Sequence, residues 1–310
     1  MALRPSRQVR LAGTGHASIA GVSFPVPAVV DWYDASARDL PWRAPDAGAW
    51  AVLVSEFMLQ QTPVARVLPV FEAWLERWPI PAALAAEPAG EAVRAWGRLG
   101  YPRRALRLHA AAATITERHG GAVPCDLPSL LALPGVGDYT ARAVASFAYR
   151  QRHAVVDTNV RRLLARAVRG DADAGPSTTA ADTRLAESLV PDDPDQAARW
   201  AVAAMELGAL VCTARAPRCS ACPVADVCAW RACGAPPADA PTRRPQAYAG
   251  TDRQVRGRLL AVLRSSPGPV AASELADVWR EPVQRERALA TLLADGLAVR
   301  HGTDRYALPG

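Results

Sequence analysis

Cys212, Cys219, Cys222 and Cys228 spell C-x6-C-x2-C-x5-C directly after the helix-like run "QAARWAVAAMELGALV". Four thiols at that density, behind an N-terminus with no continuous apolar signal region, argue for a metal rather than for disulfides. On the residues alone, an S4 site suits either zinc or an iron–sulfur cluster. Cys125 and Cys233 fall outside the spacing and read as ordinary free thiols, while Arg215 and Arg218 make the loop basic.

Two carboxylates stand in contrasting surroundings. Glu56 lies within "AVLVSEFMLQQTPV", where Val52, Leu53, Val54, Phe57, Met58 and Leu59 cover nearly every face of a helix. A helix apolar all round is buried, and an acid inside it is costly unless hydrogen-bonded or protonated. Burial would raise the pKa of Glu56 and keep a proton available; the alternative is an acid that escapes to the surface. Asp157, in "HAVVDTNVRRLLARAV", stands where the next helix begins, as an N-cap. The N–H donors and the positive helix end are expected to lower its pKa and hold it anionic. Acids pushed apart in this way suit glycosidic cleavage, one protonating the leaving group and the other stabilising positive charge on the sugar.

The elements that must position these groups are helical. After the apolar helix, Thr62 is the expected N-cap and Pro63 the first residue of "VARVLPVFEAWLERW", with Pro69 a candidate kink. Gln61 and Thr62 thus occupy a tight turn. Helical patterns follow around 88–97, 102–118, 138–150, 159–168 and 196–211, and "RGDADAGPSTTAAD" reads as a surface loop. Pro134-Gly135-Val136-Gly137 joins two helical segments. Such a turn can offer backbone N–H groups to a phosphate, although most only connect helices. Residues 1–24 read as a disordered extension, 25–234 as the main region and 235–250 as a Pro/Ala/Gly-rich linker. In 251–310, three helices and a hairpin over "LAVRHGTDRYALPG" suggest a small winged-helix-like module.

With a formal charge of +6 and a pI near 9.3, the 310-residue chain is compatible with a polyanionic partner. All 36 basic residues are arginine; inflated Ala, Pro and Arg together point to genome bias as the cause. No apolar run is long enough to span a membrane. The expectation is a cytoplasmic monomer with no membrane association.

Six motifs occur in one order: "LPWR" (40–43), "SEFMLQQT" (55–62), "RLGYPRRA" (98–105), "LPGVG" (133–137), "VDTNVRRLLAR" (156–166) and the cysteine loop "MELGALVCTARAPRCSACPVADVC" (205–228). Together they resemble the adenine DNA glycosylases of the MutY type, over roughly residues 25 to 233. The hairpin and cysteine loop are shared with endonuclease III-type enzymes. The resemblance implies an all-α helix-hairpin-helix glycosylase, with a six-helix barrel over about 46–150 and a cluster-bearing lobe formed by 25–45 plus 151–234. It implies a [4Fe–4S] cluster on the four cysteines and, as partner, duplex DNA with adenine mispaired with 8-oxoguanine or guanine. Glu56 then matches the acid that protonates adenine and Asp157 the stabiliser of the cationic sugar, with Tyr139 and Asn159 in support. Gly135, Val136 and Gly137 match the phosphate grip, Leu59, Gln61, Thr62 and Tyr101 the residues that enter the base stack, and Arg43 a pocket wall.

Three rival readings stand beside this one, two enzymatic and one of a different class. An endonuclease III-type lyase needs a lysine where this chain has Tyr139, and the chain contains no lysine. A non-enzymatic iron–sulfur DNA-binding regulator would leave the paired acids structural. A thymine- or uracil-directed mismatch glycosylase is the remaining enzymatic alternative. The sequence departs from the family in three places. Pro102 stands where a second aromatic is frequent, "VDTN" replaces a Gly-containing form, and the tail does not resemble the larger Nudix-related C-terminal domain of many members.

Overall fold

The computed structural model describes residues 18–19, 22–237 and 248–310. The expected extension falls largely outside these, as does most of the expected linker. Within residues 1–24, the described part is a short antiparallel pair, β1 (Ser18–Ile19) and β2 (Val22–Ser23), followed by buried Phe24.

The architecture is helical, as expected. In chain order come α1 (Val26–Ser36), α2 (Ala49–Leu59), α3 (Val64–Arg77), α4 (Pro81–Ala85), α5 (Ala89–Trp96) and α6 (Arg103–Arg118). Then follow α7 (Leu127–Leu131), α8 (Asp138–Tyr149), α9 (Thr158–Leu164), α10 (Ala180–Glu187), α11 (Pro194–Leu210) and α12 (Ala229–Ala232). The tail adds α13 (Asp252–Ser265), β3 (Val270–Ala271), α14 (Ala272–Ala276), α15 (Pro282–Ala294), β4 (Val299–His301) and β5 (Arg305–Ala307). Past Leu164 the chain widens into a π-turn over Ala165–Arg169.

Two compact units form. One takes the described residues through Ala37 and those from Arg152 to 237; the other takes Arg38–Gln151 and 248–310. In the second, α2 packs against α3, α6 and α8, and α6 against α4 and α5, around an aromatic core. Trp74 meets Trp78 at 4.7 Å and Trp96 at 5.8 Å, both edge-on, an arrangement the ring quadrupole favours. α3 runs unbroken through Pro69. In the first unit α1 and α9 pack on α11, and Phe24 sits edge-on to Trp200.

The tail holds three helices and a small sheet. Beyond the expected hairpin it holds a third strand, giving the antiparallel order β3-β5-β4. Its core is continuous with that of α2–α8: Val255, Leu259, Leu263, Leu292 and Tyr306 belong to the same apolar cluster as Trp96 and Leu108. At the contact the Gly90 N–H donates to the Pro309 carbonyl at 2.7 Å. A Cβ on Gly90 would stand 2.5 Å from that oxygen, so only glycine fits.

One local expectation fails for an identifiable reason. Thr62 does not cap α3; the N-cap is Pro63, and the Thr62 hydroxyl turns inward to the Leu99 carbonyl at 3.3 Å. The stretch 170–179 is irregular and mostly exposed, as expected of a surface loop, but it is tied down at its end. It leads into α10 through a Thr179–Asp182 capping box. Asp182, 4% exposed, accepts from Arg161 at 3.3 Å and is also paired with Arg169. Arg161 meanwhile donates to the Ala174 and Ser177 carbonyls. Sequence composition does not show that Arg161 turns inward.

Burial works against the Asp182 charge, but Arg169 and the Thr179 donors outweigh it and hold the carboxyl at about 2. A depressed folded-state pKa stabilises the fold above the unfolded aspartate value and loses that contribution as pH falls through about 2. Asp182→Asn should therefore cost about 2 kcal/mol at pH 7. Thermal melts from pH 6 to pH 2 should show the gap between the two proteins closing below about pH 4.

Candidate active site

α2 carries Glu56 in its last turn. Val52, Leu53, Val54, Ser55, Phe57 and Met58 are all buried, and Glu56 itself is 5% exposed, so the surface-acid alternative is removed. A helix that ends inside the protein leaves its last carbonyls without partners. Here they are met by a residue on α6. Arg104, buried, donates through Nη1 to the carbonyls of Phe57 (2.9 Å), Met58 (3.3 Å) and Gln60 (2.6 Å). Its Nη2 reaches Thr62 Oγ1 at 3.2 Å and the Gly100 carbonyl at 3.4 Å. One guanidinium thus ties together the α2–α3 turn and the turn before α6.

Each of those turns carries a strained residue. Gln61 has a φ of 57° and Tyr101 a φ of 47°, left-handed values that L side chains adopt at a cost. Gln61 is exposed, Tyr101 is 51% exposed, Leu59 is half-buried and Thr62 buried. Of the four residues expected to enter a base stack, Gln61 and Tyr101 stand outward, and Thr62 braces the turn from within. Burial lowers the pKa of Arg104. Its charge faces the negative end of α2 and the rings of Tyr101 (5.1 Å) and Trp96 (5.6 Å).

The hairpin joins α7 to α8. Gly135 has a φ of 79°, and a Cβ there would lie 2.7 Å from Arg107 Cβ and 3.1 Å from Phe57 Cε1. Val136 is buried, so its side chain anchors the turn while the exposed Gly135 and Gly137 present backbone. Tyr139 is the second residue of α8 and half-buried. Arg43 ends a 3-10 turn over Pro41–Arg43, held by buried Trp42 edge-on to Phe71 at 5.0 Å.

In the other unit Asp157 is the expected N-cap of α9. It accepts from the Asn159 and Val160 N–H groups at 2.8 and 2.7 Å and from Asn159 Nδ2 at 2.7 Å. The expected downward shift of its pKa is overturned. Burial pushes the carboxyl above its ordinary value, and these donors and Arg162 only partly offset it. The sequence shows the helix end but not the desolvation. An anion held in so unfavourable a setting gains more from a nearby cation than a solvated one does.

A chain of hydrogen bonds leads from Asp157 to the cysteine loop. Asn159 Oδ1 accepts from Arg162 Nη2 at 2.8 Å; Arg162 also donates to the carbonyls of Gly208 and Cys212, both at 2.7 Å. Arg166, in the π-turn, donates to the Thr213 and Ala214 carbonyls and lies 3.6 Å from Cys212 Sγ. The four cysteines line one pocket with Leu163, Val211, Val224 and Trp230, and none forms a disulfide. Yet among the described residues no three Cys, His, Asp or Glu side chains converge closely enough for a single metal ion. Sulfurs that share a pocket without converging fit a cluster of several irons better than a mononuclear zinc, whose four sulfurs sit about 2.3 Å from one point. Cys212, Cys219, Cys222 and Cys228 would hold the cluster, which ties the loop shut. Cys125 and Cys233 are exposed free thiols, as expected.

Sequence reading missed Arg104, Arg162 and Arg166. For Arg104 a signal existed: it shares a helical stripe with Leu108, Ala111, Ala112 and Ile115, all buried. Arg104→Lys keeps the charge but replaces a planar fork with one point donor, which cannot span the five acceptors. Thermal unfolding should show a loss of about 2 kcal/mol, and hydrogen exchange should show faster opening of the Thr62 amide, which bonds the Leu59 carbonyl. An unchanged Thr62 rate would remove the clamp role.

Residues 54–189 match the HhH-GPD superfamily of base excision DNA repair proteins, and 212–228 match the iron–sulfur binding domain of endonuclease III. A protein named adenine DNA glycosylase from Mycobacterium tuberculosis is 57% identical over 90% of this chain and 91% of its own. One of the same name from Mycolicibacterium smegmatis is 55% identical over 91% and 95%. The solved structure of a thermostable thymine-DNA glycosylase superposes with a TM-score of 0.60 at 26% identity, covering 66% of this chain and 94% of that one. The iron–sulfur match decides between zinc and a cluster in favour of [4Fe–4S], and the chain belongs to the adenine DNA glycosylase family of helix-hairpin-helix base-excision repair enzymes.

Proposed function

We propose that this protein hydrolyses the N-glycosidic bond of adenine mispaired with 8-oxoguanine or guanine in duplex DNA, without lyase activity. The observation that carries the reading is Glu56 buried in the last turn of an otherwise apolar helix, directly before a strained, exposed turn. Adenine inside a duplex is out of reach, so the base must be extruded. Glu56 protonates the base and so makes it a better leaving group. Asp157 stabilises the positive charge that develops on the sugar, and the Asn159 and helix N–H donors hold its oxygens in place. Gln61 and Tyr101 fill the space that the base leaves, Leu59 and Thr62 back them, and Arg43 and Tyr139 line the pocket. Gly135 and Gly137 offer backbone N–H groups to a phosphate.

Lyase chemistry by Schiff base needs an amine nucleophile, and no lysine exists in the chain to supply one. Much of the discrimination of the opposite base falls to Gln61 and Tyr101, with Thr62 bracing the turn that carries Gln61.

Glu56→Gln should keep its affinity for mispaired duplex and lose base release by at least about a thousandfold, because the amide cannot give up a proton. Purified protein and labelled duplexes bearing different mispairs, with and without alkali, check this together with base identity and the absence of strand cleavage. Equal single-turnover rates opposite 8-oxoguanine and guanine would refute a preference for the oxidised base. With Asp157 shifted upward, the acid-side fall in the single-turnover rate should begin above the ordinary aspartate value.

A further inference from the structure

Five large apolar side chains stand exposed among the described residues, and two of them, Tyr101 and Tyr248, flank the same guanidinium. Arg253, in the first turn of α13, lies 5.8 Å from the Tyr101 ring centroid and 6.0 Å from that of Tyr248. It is exposed. The adjacent acid does not neutralise it: the Asp252 carboxylate takes both Arg287 donors at 2.7 Å and Gln284 at 3.0 Å. No other acid among the described residues pairs with Arg253.

Tyr248 is a built neighbour rather than a stray one. Its carbonyl accepts the Thr251 hydroxyl at 2.7 Å. Its own hydroxyl lies 3.2 Å from where a Cβ on Gly257 would stand. A glycine inside α13 costs about 1 kcal/mol of helix propensity and here leaves room for that ring. On its other side Tyr101 meets the buried Arg104. Arginine and tyrosine therefore alternate from the α6 turn into the tail as Arg104, Tyr101, Arg253, Tyr248. Of the two cations, Arg253 is the one open to solvent.

An exposed, uncompensated guanidinium between aromatic rings is suited to a phosphate oxygen, which it can bind with two parallel N–H donors. We infer that the C-terminal module is part of the DNA-binding surface, with Arg253 taking a backbone phosphate beside the base step that Tyr101 enters. The inference rests on the reading of Tyr101 in the proposed function. It gives the tail a role in affinity, since phosphate contacts carry no sequence information.

The test uses the full chain. Arg253→Gln and, as a control on the same helix, Arg258→Gln, whose guanidinium lies over Trp279 at 5.0 Å, are titrated against fluorescein-labelled duplexes, matched and mispaired, over a salt series. Arg253→Gln should weaken binding about 5- to 20-fold by the same factor on both duplexes, and should lower the log–log salt slope by about one. Arg258→Gln should match wild type. Wild-type affinity and slope in Arg253→Gln would overturn the inference, as would an equal loss in Arg258→Gln, which would mark a general charge effect. If the wild-type protein binds duplex but releases no adenine, the proposed function fails, and the Arg253→Gln salt slope still judges the inference on its own.

Discussion

A helix that stops inside a protein must find donors for its final carbonyls, and Glu56 lies three residues before such an end. That end of α2 is satisfied by protein donors. Arg104 supplies the donors from α6 and at the same time fixes the turn that carries Gln61. The other unit solves the same problem in the same way. There Arg162, on α9, caps the end of α11 through the Gly208 and Cys212 carbonyls while holding Asn159 beside Asp157. In each unit a guanidinium thus bonds the C-terminal end of a helix, and in the unit of α9 it also holds Asn159 beside Asp157.

Arginine suits this role where lysine would not. A guanidinium spreads five N–H donors over a rigid plane, stays charged when buried and is weakly hydrated, so it can read several carbonyls at modest desolvation cost. Whatever bias removed lysine from the chain, it left a residue able to replace water at helix ends. The same chemistry recurs where Arg161 and Arg169 lock the segment before α10, and where Arg264 donates to the Val93 carbonyl to dock the tail. Arg264, too, is pulled down by burial, to about 10, so it remains a cation at neutral pH.

Most of the fold was legible because helical periodicity and caps are local signals. The helices over 102–118, 138–150 and 196–211, the Asp157 cap and the cysteine spacing could be read directly, and motif order supplied the other candidate residues. What escaped notice was set by tertiary contacts. Thr62 has the chemistry of a cap, but its hydroxyl is claimed by Leu99, a residue far along the chain. The polar composition of 169–182 suggests solvent, yet Asp182 is buried because two arginines from α9 and the π-turn converge on it. The helix position of Asp157 was visible in sequence, but its desolvation depends on how closely neighbouring helices pack. β3 is only two residues long, too short for alternation to show.

How closely they pack can be read at Gly208. A Cβ there would stand 2.6 Å from the Asn159 carbonyl oxygen and 2.8 Å from its Cβ, so α11 approaches α9 with nothing between the two backbones. Any larger residue would push against the first turn of α9, and hence against the N-cap that Asp157 forms. That contact also places the start of the cysteine loop, since Cys212 follows directly from α11 and its carbonyl meets Arg162. A loop closed by a cluster has a fixed Cys212 carbonyl, whereas an open loop leaves that acceptor to wander and frees Arg162 from one of its anchors. The cluster therefore need perform no chemistry of its own to matter here. By fixing one backbone carbonyl it steadies the arginine, the asparagine and, through them, the carboxylate, along bonds each shorter than 3 Å.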